Sequence, residues 1–202
     1  MITATPPLLA MLTTTVAVVL VWSGIQPHDY FTWFLEVAPA LIAFPILAFT
    51  RHRFPLTRTL YVLIAVHMVI LMIGGHYTYA KVPPFDWLRD TFQLSRNHYD
   101  KVGHFAQGFI PVLVAREILL KTTRLEGGKM LTFLAMSVVL AMSAVYELVE
   151  WAAAFSTGEA ANDFLGTQGD VWDTQKDMAT CLVGSVVALI LFSRRQDREL
   201  GG

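Results

Sequence analysis

Gly166-Thr167-Gln168-Gly169-Asp170-Val171-Trp172-Asp173-Thr174-Gln175-Lys176-Asp177 stands between two long apolar segments, and its reading decides how the chain is built. Asp170, Asp173 and Asp177 fall at i, i+3 and i+7, so a helix beginning here places all three carboxylates on one face. Like charges on one stripe repel, and Lys176, the nearest cation in sequence, points off that face. A divalent cation, protonation or plain exposure to water would each relieve the repulsion. The same one-face spacing recurs elsewhere: Asp100 with His104 at i, i+4, and Glu147 with Glu150 at i, i+3, each inside an otherwise apolar run.

Outward from that stretch the chain is mostly hydrocarbon. Of 202 residues 54% are apolar and 15% charged, against about 25% charged in soluble domains. Mean hydropathy is +0.50. Apolar runs of about 20 residues match the thickness of a bilayer, because a helix of that length crosses the hydrocarbon layer. Six such runs are read, at 8–25, 31–50, 59–75, 98–120, 130–155 and 174–193. The expected fold is all-α: a polytopic bundle of about six transmembrane helices, one membrane domain over residues 1–202. The first run reads as an anchor rather than a signal peptide, since no Lys or Arg precedes it and it exceeds a signal core. Pro39 and Pro45 are tolerable inside a membrane helix. Residues 80–97 mix Pro83, Pro84, Trp87 and Phe92 with charges, which predicts a short interfacial helix between the third and fourth spans. Residues 157–169 read as a polar connection. The single cysteine, Cys181, rules out an internal disulfide and a cysteine-cluster metal site. A net charge of −1 with no basic stripe argues against nucleic acid.

Lys and Arg set the expected orientation. With both termini cytoplasmic, ten of them lie inside and five outside (Lys81, Arg89, Arg96, Lys101 and Lys176). This topology brings the start of the fourth span, the end of the fifth, the start of the sixth and His76 to the extracytoplasmic leaflet. Acids buried in a bilayer are functional by default, and helix-dipole capping explains Asp100, Asp170 and Asp173 but not Asp177, Glu147 or Glu150. Carboxylates with imidazole are the ligand set for Zn, Mg or Mn. The expected metal ligands are Asp100, His104, Glu150, Asp170, Asp173 and Asp177. Glu147 and His98 are the expected catalytic groups, with Glu147 or Glu150 taking a proton from activated water. Arg96, Lys101, Gln107 and His76 are expected to hold an anionic headgroup. His67, alone in the third span, reads as a hydrogen-bonded packing residue, and Trp87, Trp151 and Trp172 as interfacial anchors.

The motifs Gly-Gly-His-Tyr-Thr-Tyr-Ala (74–80), Arg-Asn-His-Tyr-Asp-Lys-Val-Gly-His-Phe-Ala-Gln-Gly (96–108), Tyr-Glu-Leu-Val-Glu-Trp (146–151) and the opening stretch through Met178 closely resemble the YjdF-like bacterial inner membrane proteins. That resemblance covers nearly the whole chain; it implies an inner-membrane location and assigns no activity. A more distant likeness is to VanZ-like membrane proteins, through Asp100, Lys101 and His104, then Glu147 or Glu150, then Asp173 and Asp177. It points toward a cell-envelope substrate.

Three functions are therefore weighed. One is a metal-dependent membrane hydrolase or transferase acting at the extracytoplasmic face on a lipid-linked or headgroup substrate. The second is a cation- or proton-coupled binding or transport protein, disfavoured because the cytoplasmic halves of the spans read as almost devoid of polar residues. In the third the acids pair internally with Arg96, Lys101 and Lys176 and do no chemistry. Membrane lipids are the expected partners, and a homo-oligomer is compatible with the sequence.

Overall fold

The computed structural model describes residues 1–157 and 167–201. Most of the connection expected over 157–169 lies outside the described residues. Among those described are seven α-helices: α1 (Pro6–Ser23), α2 (Tyr30–Thr50), α3 (Arg58–Tyr77), α4 (Pro83–Phe92), α5 (Tyr99–Thr122), α6 (Lys129–Thr157) and α7 (Asp173–Leu200). The helix starts follow local chemistry. Pro6 and Pro7 open α1, where a missing N–H costs nothing. Asp29 caps α2 by accepting a hydrogen bond from the Thr32 N–H at 2.7 Å. Pro39 and Pro45 lie within α2 as expected. The short interfacial helix is α4, opened by Pro83 and ended by Gln93 in the left-handed conformation.

Helices α1, α2, α3, α6 and α7 are long and apolar enough to cross a membrane. Large apolar side chains such as Phe49, Phe155 and Ile190 are exposed on their outer faces, which suits lipid rather than water. Helix α5 fails on composition because it carries Asp100, Lys101, His104, Arg116, Glu117 and Lys121. At 24 residues it is nonetheless long enough to span. It packs against α3, α6 and, most extensively, α7, so its polar groups meet protein instead of lipid. It is long enough to stand as a sixth membrane helix shielded by the five apolar ones.

Association inside a bilayer depends on close packing rather than on water exclusion. The α5–α7 contact shows this. A Cβ on Gly108 would collide with the backbone of Cys181, and one on Gly184 with the Phe105 carbonyl. Ser185 fastens the crossing, its Oγ lying 3.1 Å from the carbonyl oxygens of both Gly108 and Cys181. A core of Leu60, Val112, Leu113, Ala135, Val139 and Ala188 surrounds α5. A second core of Val16, Val37, Ala65, Met68 and Met72 joins α1 and α2 to α3, so α1 is an integral element of the packing.

At one end of the bundle the first and last helices' flanking residues meet. The Ile2 N–H donates to the Glu199 carbonyl at 2.6 Å, and the Arg58 N–H to the Ile2 carbonyl at 3.1 Å. Contrary to the reading of these helix halves as nearly apolar, this end holds a dense polar network. The fully buried Glu117 accepts from the Thr57 N–H at 3.0 Å, the Thr57 hydroxyl at 2.7 Å and Lys121 at 2.5 Å. Glu199 accepts from the Thr59 N–H at 2.9 Å and hydroxyl at 2.5 Å, and Arg195 lies 3.3 Å away. These two acids take the Thr57 and Thr59 N–H groups at the start of α3, and the Ile2 carbonyl takes that of Arg58 between them. Arg116 bonds Gln196 at 3.0 Å and Asp197 at 2.6 Å. We call this the terminal end, and the other the site end.

Candidate functional site

The site end is assembled by the start of α5, the start of α7, the last third of α6 and one side of α2 and α3. Asn97, fully buried, aligns these pieces. Its amide donates to the Val82 carbonyl at 3.1 Å and to Asp86 at 3.0 Å, and its Oδ1 accepts from the Tyr99 N–H at 3.0 Å. Gln168 then closes a two-way bridge: it accepts from the Asn97 N–H at 2.9 Å and donates to the Asn97 carbonyl at 3.0 Å. The two chain stretches that carry most of the acids are thus held together beside them. Neither Asn97 nor Gln168 was singled out from the sequence, because their pairing links residues 71 apart and leaves no local pattern.

Two cations thread the acids. Arg96 donates to Asp173 and, at 3.1 Å, to Asp100, and lies 3.8 Å from Asp170. Burial alone would lower the proton affinity of its guanidinium, but Asp173, Asp100 and Asp177 outweigh this and hold its pKa above the usual range. Lys101 reaches Asp100 at 3.3 Å, Asp173 at 2.9 Å and also Asp177. The repulsion read along the α7 stripe is therefore relieved in part from another helix. Arg96 and Lys101, expected to face an anionic headgroup, direct donors at these carboxylates.

His104 sits at the centre. Its Nε2 lies 3.2 Å from Asp100 and 3.8 Å from Asp177, and its Nδ1 lies 3.1 Å from the Gln107 Oε1 and 3.9 Å from Glu147. Asp100, His104 and Asp177 each offer one ligand atom, and these atoms lie within 4.8 Å of one another. Adjacent ligands around a cation at about 2.0–2.2 Å are separated by roughly 3–3.5 Å, so this triad needs a contraction of well under 2 Å to close on an ion. Glu147 adds an observation independent of the triad. It is buried, and its Oε1 has no hydrogen-bond partner. An unsatisfied carboxylate oxygen aimed at His104 is expensive unless something is to be bound there.

Beneath this layer lies a cavity of about 150 Å³, lined by Glu36, His67, Tyr79, Asp100, His104, Gln107, Tyr146 and Glu150 among others. The Tyr146 hydroxyl donates to Glu36 at 3.2 Å, joining α6 to α2. Glu36 escaped the sequence reading, although a lone acid in an apolar span is itself the signal. The expectation for His67 needs correction: its Nε2 is buried without a hydrogen-bond partner and the residue lines this cavity. A lone imidazole in a span has no local pattern to show where it points.

The remaining predicted residues lie apart or at the edge. His76 packs on α1, with its Nδ1 3.0 Å from the Ser23 carbonyl and its ring 4.5 Å from that of Trp22. His98 precedes α5, half-buried, and its carbonyl accepts from the Lys101 N–H at 3.1 Å. Asp170 is at the rim, 2.5 Å from Lys176 and 3.1 Å from the Trp172 N–H. Lys176 chiefly, then that N–H, holds its carboxyl below the usual carboxylate range. Trp87, Trp151 and Trp172 are exposed. Among the described residues, Asp100, Asp173 and Asp177 share Arg96, Lys101 and the His104 imidazole, Glu147 approaches that imidazole at 3.9 Å, and Glu36 and Glu150 line the cavity beneath.

With this geometry in place, comparison with known proteins is informative. Residues 8–198 match the family described as "Predicted membrane protein (DUF2238)". The chain is 50% identical over 186 residues to the inner membrane protein YjdF of Escherichia coli strain K12, covering 92% of this chain and 89% of that protein. The likeness to VanZ-like proteins finds no support in these matches. No solved structure matches the chain.

Proposed function

For this chain, which belongs to the DUF2238 family of membrane proteins, we propose a metal-dependent enzyme of the inner membrane that acts on a lipid-linked or headgroup substrate by hydrolysis or group transfer. The observation that carries the reading is the Asp100–His104–Asp177 triad with the unpartnered Glu147 oxygen beside it. A divalent ion, Zn, Mg or Mn, when bound would supply Lewis acidity and an acidified water. Asp100, His104 and Asp177 would hold it. Gln107 fixes the His104 ring from the opposite nitrogen, as the outer partners of ligating histidines do. Glu147 Oε1, free of other bonds, is placed to take a proton. Arg96 and Lys101 neutralise Asp173, and Lys101 shares Asp177 with the cation. The excess of Lys and Arg on the terminal side supports placing that side in the cytoplasm and the site at the extracytoplasmic face.

Elemental analysis of the purified protein tests the proposal. About one ion per chain is expected, lost in His104→Ala and Asp177→Asn; no bound metal in the folded wild type would end it.

A second reading, a proton- or cation-coupled transporter, draws support from the carboxylates in the cavity. The close α5–α7 crossing at Gly108 and Gly184 argues against a polar path between the two ends. Flux in proteoliposomes abolished by Glu147→Gln would reverse this order. The third reading, internal pairing without chemistry, fits Arg96–Asp173 and Lys101–Asp177 but leaves Glu36 and Glu150 without an ion pair among the described residues and Glu147 with the shared His104 imidazole at 3.9 Å.

A further inference from the structure

From the floor of the acid-lined cavity a second, apolar groove runs toward the terminal end. The two share Pro39, His67, Leu71, Pro111 and Met142 in their walls. The groove has a volume of about 360 Å³ and lies between α2 and α6, over α3 and α5. Its floor is made of buried Ala40, Met68 and Ile110, and its rim of exposed Ile46, Ile118 and Met142. Helices α2 and α6 do not pack along their lengths; the Tyr146–Glu36 hydrogen bond spans them at the site end. The groove is thus a trough open sideways to the bilayer, with a polar chamber at one end.

We infer that this trough takes one hydrocarbon chain of a membrane amphiphile and delivers its polar head to the chamber of Glu36, His67, His104 and Glu150. The inference rests on the reading of that chamber as a reaction site and names how a lipid would enter it. Three observations favour one chain of an amphiphile as the occupant. Along α5 the groove extends from Ile110 to Ile118, roughly 12 Å at 1.5 Å per residue, an elongated shape that suits an extended chain. Its depth lies within spanning segments, so the surrounding solvent is hydrocarbon. Its continuity with the chamber is marked by His67, whose buried and unpartnered Nε2 sits where apolar wall gives way to polar.

Photolabelling is the test. The protein is placed in nanodiscs containing a phosphatidylethanolamine with a diazirine on one acyl chain, irradiated, and its peptides are mapped. Labelling of α5 residues 110–118 is expected on the order of tenfold above that of the outward-facing Val18 and Val21 of α1, a preference of roughly 1.4 kcal/mol. Ala43→Trp, which fills the trough, should abolish the preference, and Val114→Phe does so with a smaller insertion if the first variant misfolds. Equal labelling of groove and outer faces, a preference that survives both variants, or protein–protein cross-links through the groove would each overturn the inference. Metal content measured on the same discs separates the two proposals. Groove labelling without metal removes the catalytic reading alone, and stoichiometric metal without groove labelling removes this inference alone.

Discussion

The two ends of the bundle solve the problem of buried charge in opposite ways. At the terminal end Glu117, Asp197 and Glu199 each have their own cation in Lys121, Arg116 and Arg195, and the N-terminus of α3 supplies further donors. At the site end Asp100, Asp173 and Asp177 share two permanent cations and one imidazole, Glu36 and Glu150 line the cavity without an ion pair among the described residues, and a buried Glu147 oxygen has no hydrogen-bond partner. The first arrangement closes on itself and is structural. The second has capacity left over, and capacity held in place by packing is what distinguishes a site from a staple.

Loss of Glu117 should be the most damaging change. Glu117→Ala strands Lys121, Gln196 and two donors of Thr57, and a cost of about 3–5 kcal/mol is expected in detergent unfolding. Glu147→Ala should cost far less, and equal losses would erase the contrast. Arg96→Met removes the cation shared by Asp100 and Asp173, with an expected loss of roughly 3 kcal/mol without added metal. Excess divalent cation should restore part of it, measured by the same unfolding curves. Saturating Zn, Mn or Mg at about a hundredfold above its Kd should stabilise the wild type by about 2.7 kcal/mol and leave Asp177→Asn unmoved. No shift with any of the three would place the site end with the terminal end.

The smallest effect serves as a control for acids at the site end. Asp29 caps α2 and takes no part in the cluster, so Asp29→Ala should cost about 1 kcal/mol with metal binding intact. The Thr32 N–H chiefly lowers its carboxyl pKa below the ordinary 3.8. Its contribution is therefore complete above that value and is lost as pH falls through the lower, folded one. Thermal melts of the variant and the wild type should converge in that acid range.

Long apolar runs made the five apolar membrane helices legible, since a bilayer leaves a nearly uncharged stretch of that length little alternative. Pro83 and Trp87 marked α4 in the same direct way. Much of the site end was legible too: Asp100 with His104, and Asp173 with Asp177, announce a shared face by spacing alone. What spacing does not encode is contact between faces. Lys101 follows Asp100 in sequence yet reaches across to Asp173 and Asp177, which a helical wheel drawn for α7 alone omits. Glu36 and His67 occur singly, so no periodicity flags them, and the Asn97–Gln168 bridge joins distant loops. The terminal network was missed for the same reason, because Glu117 reads as one acid on one helix until α3 and α7 are laid beside it.

Helix α5 carries a consequence for how the protein is made. With Asp100, Lys101, His104, Arg116 and Glu117 along it, the segment is a poor candidate for stable insertion by itself, and the partners for Lys101, His104 and Arg116 include residues on α7. Those residues leave the ribosome more than fifty positions later. In the interval the segment must be sheltered by the translocation machinery or wait at the membrane surface. A nascent chain stopped before Asp173 should leave the fourth segment accessible to water-soluble reagents. Synthesis of α7 would then be the event that seats it.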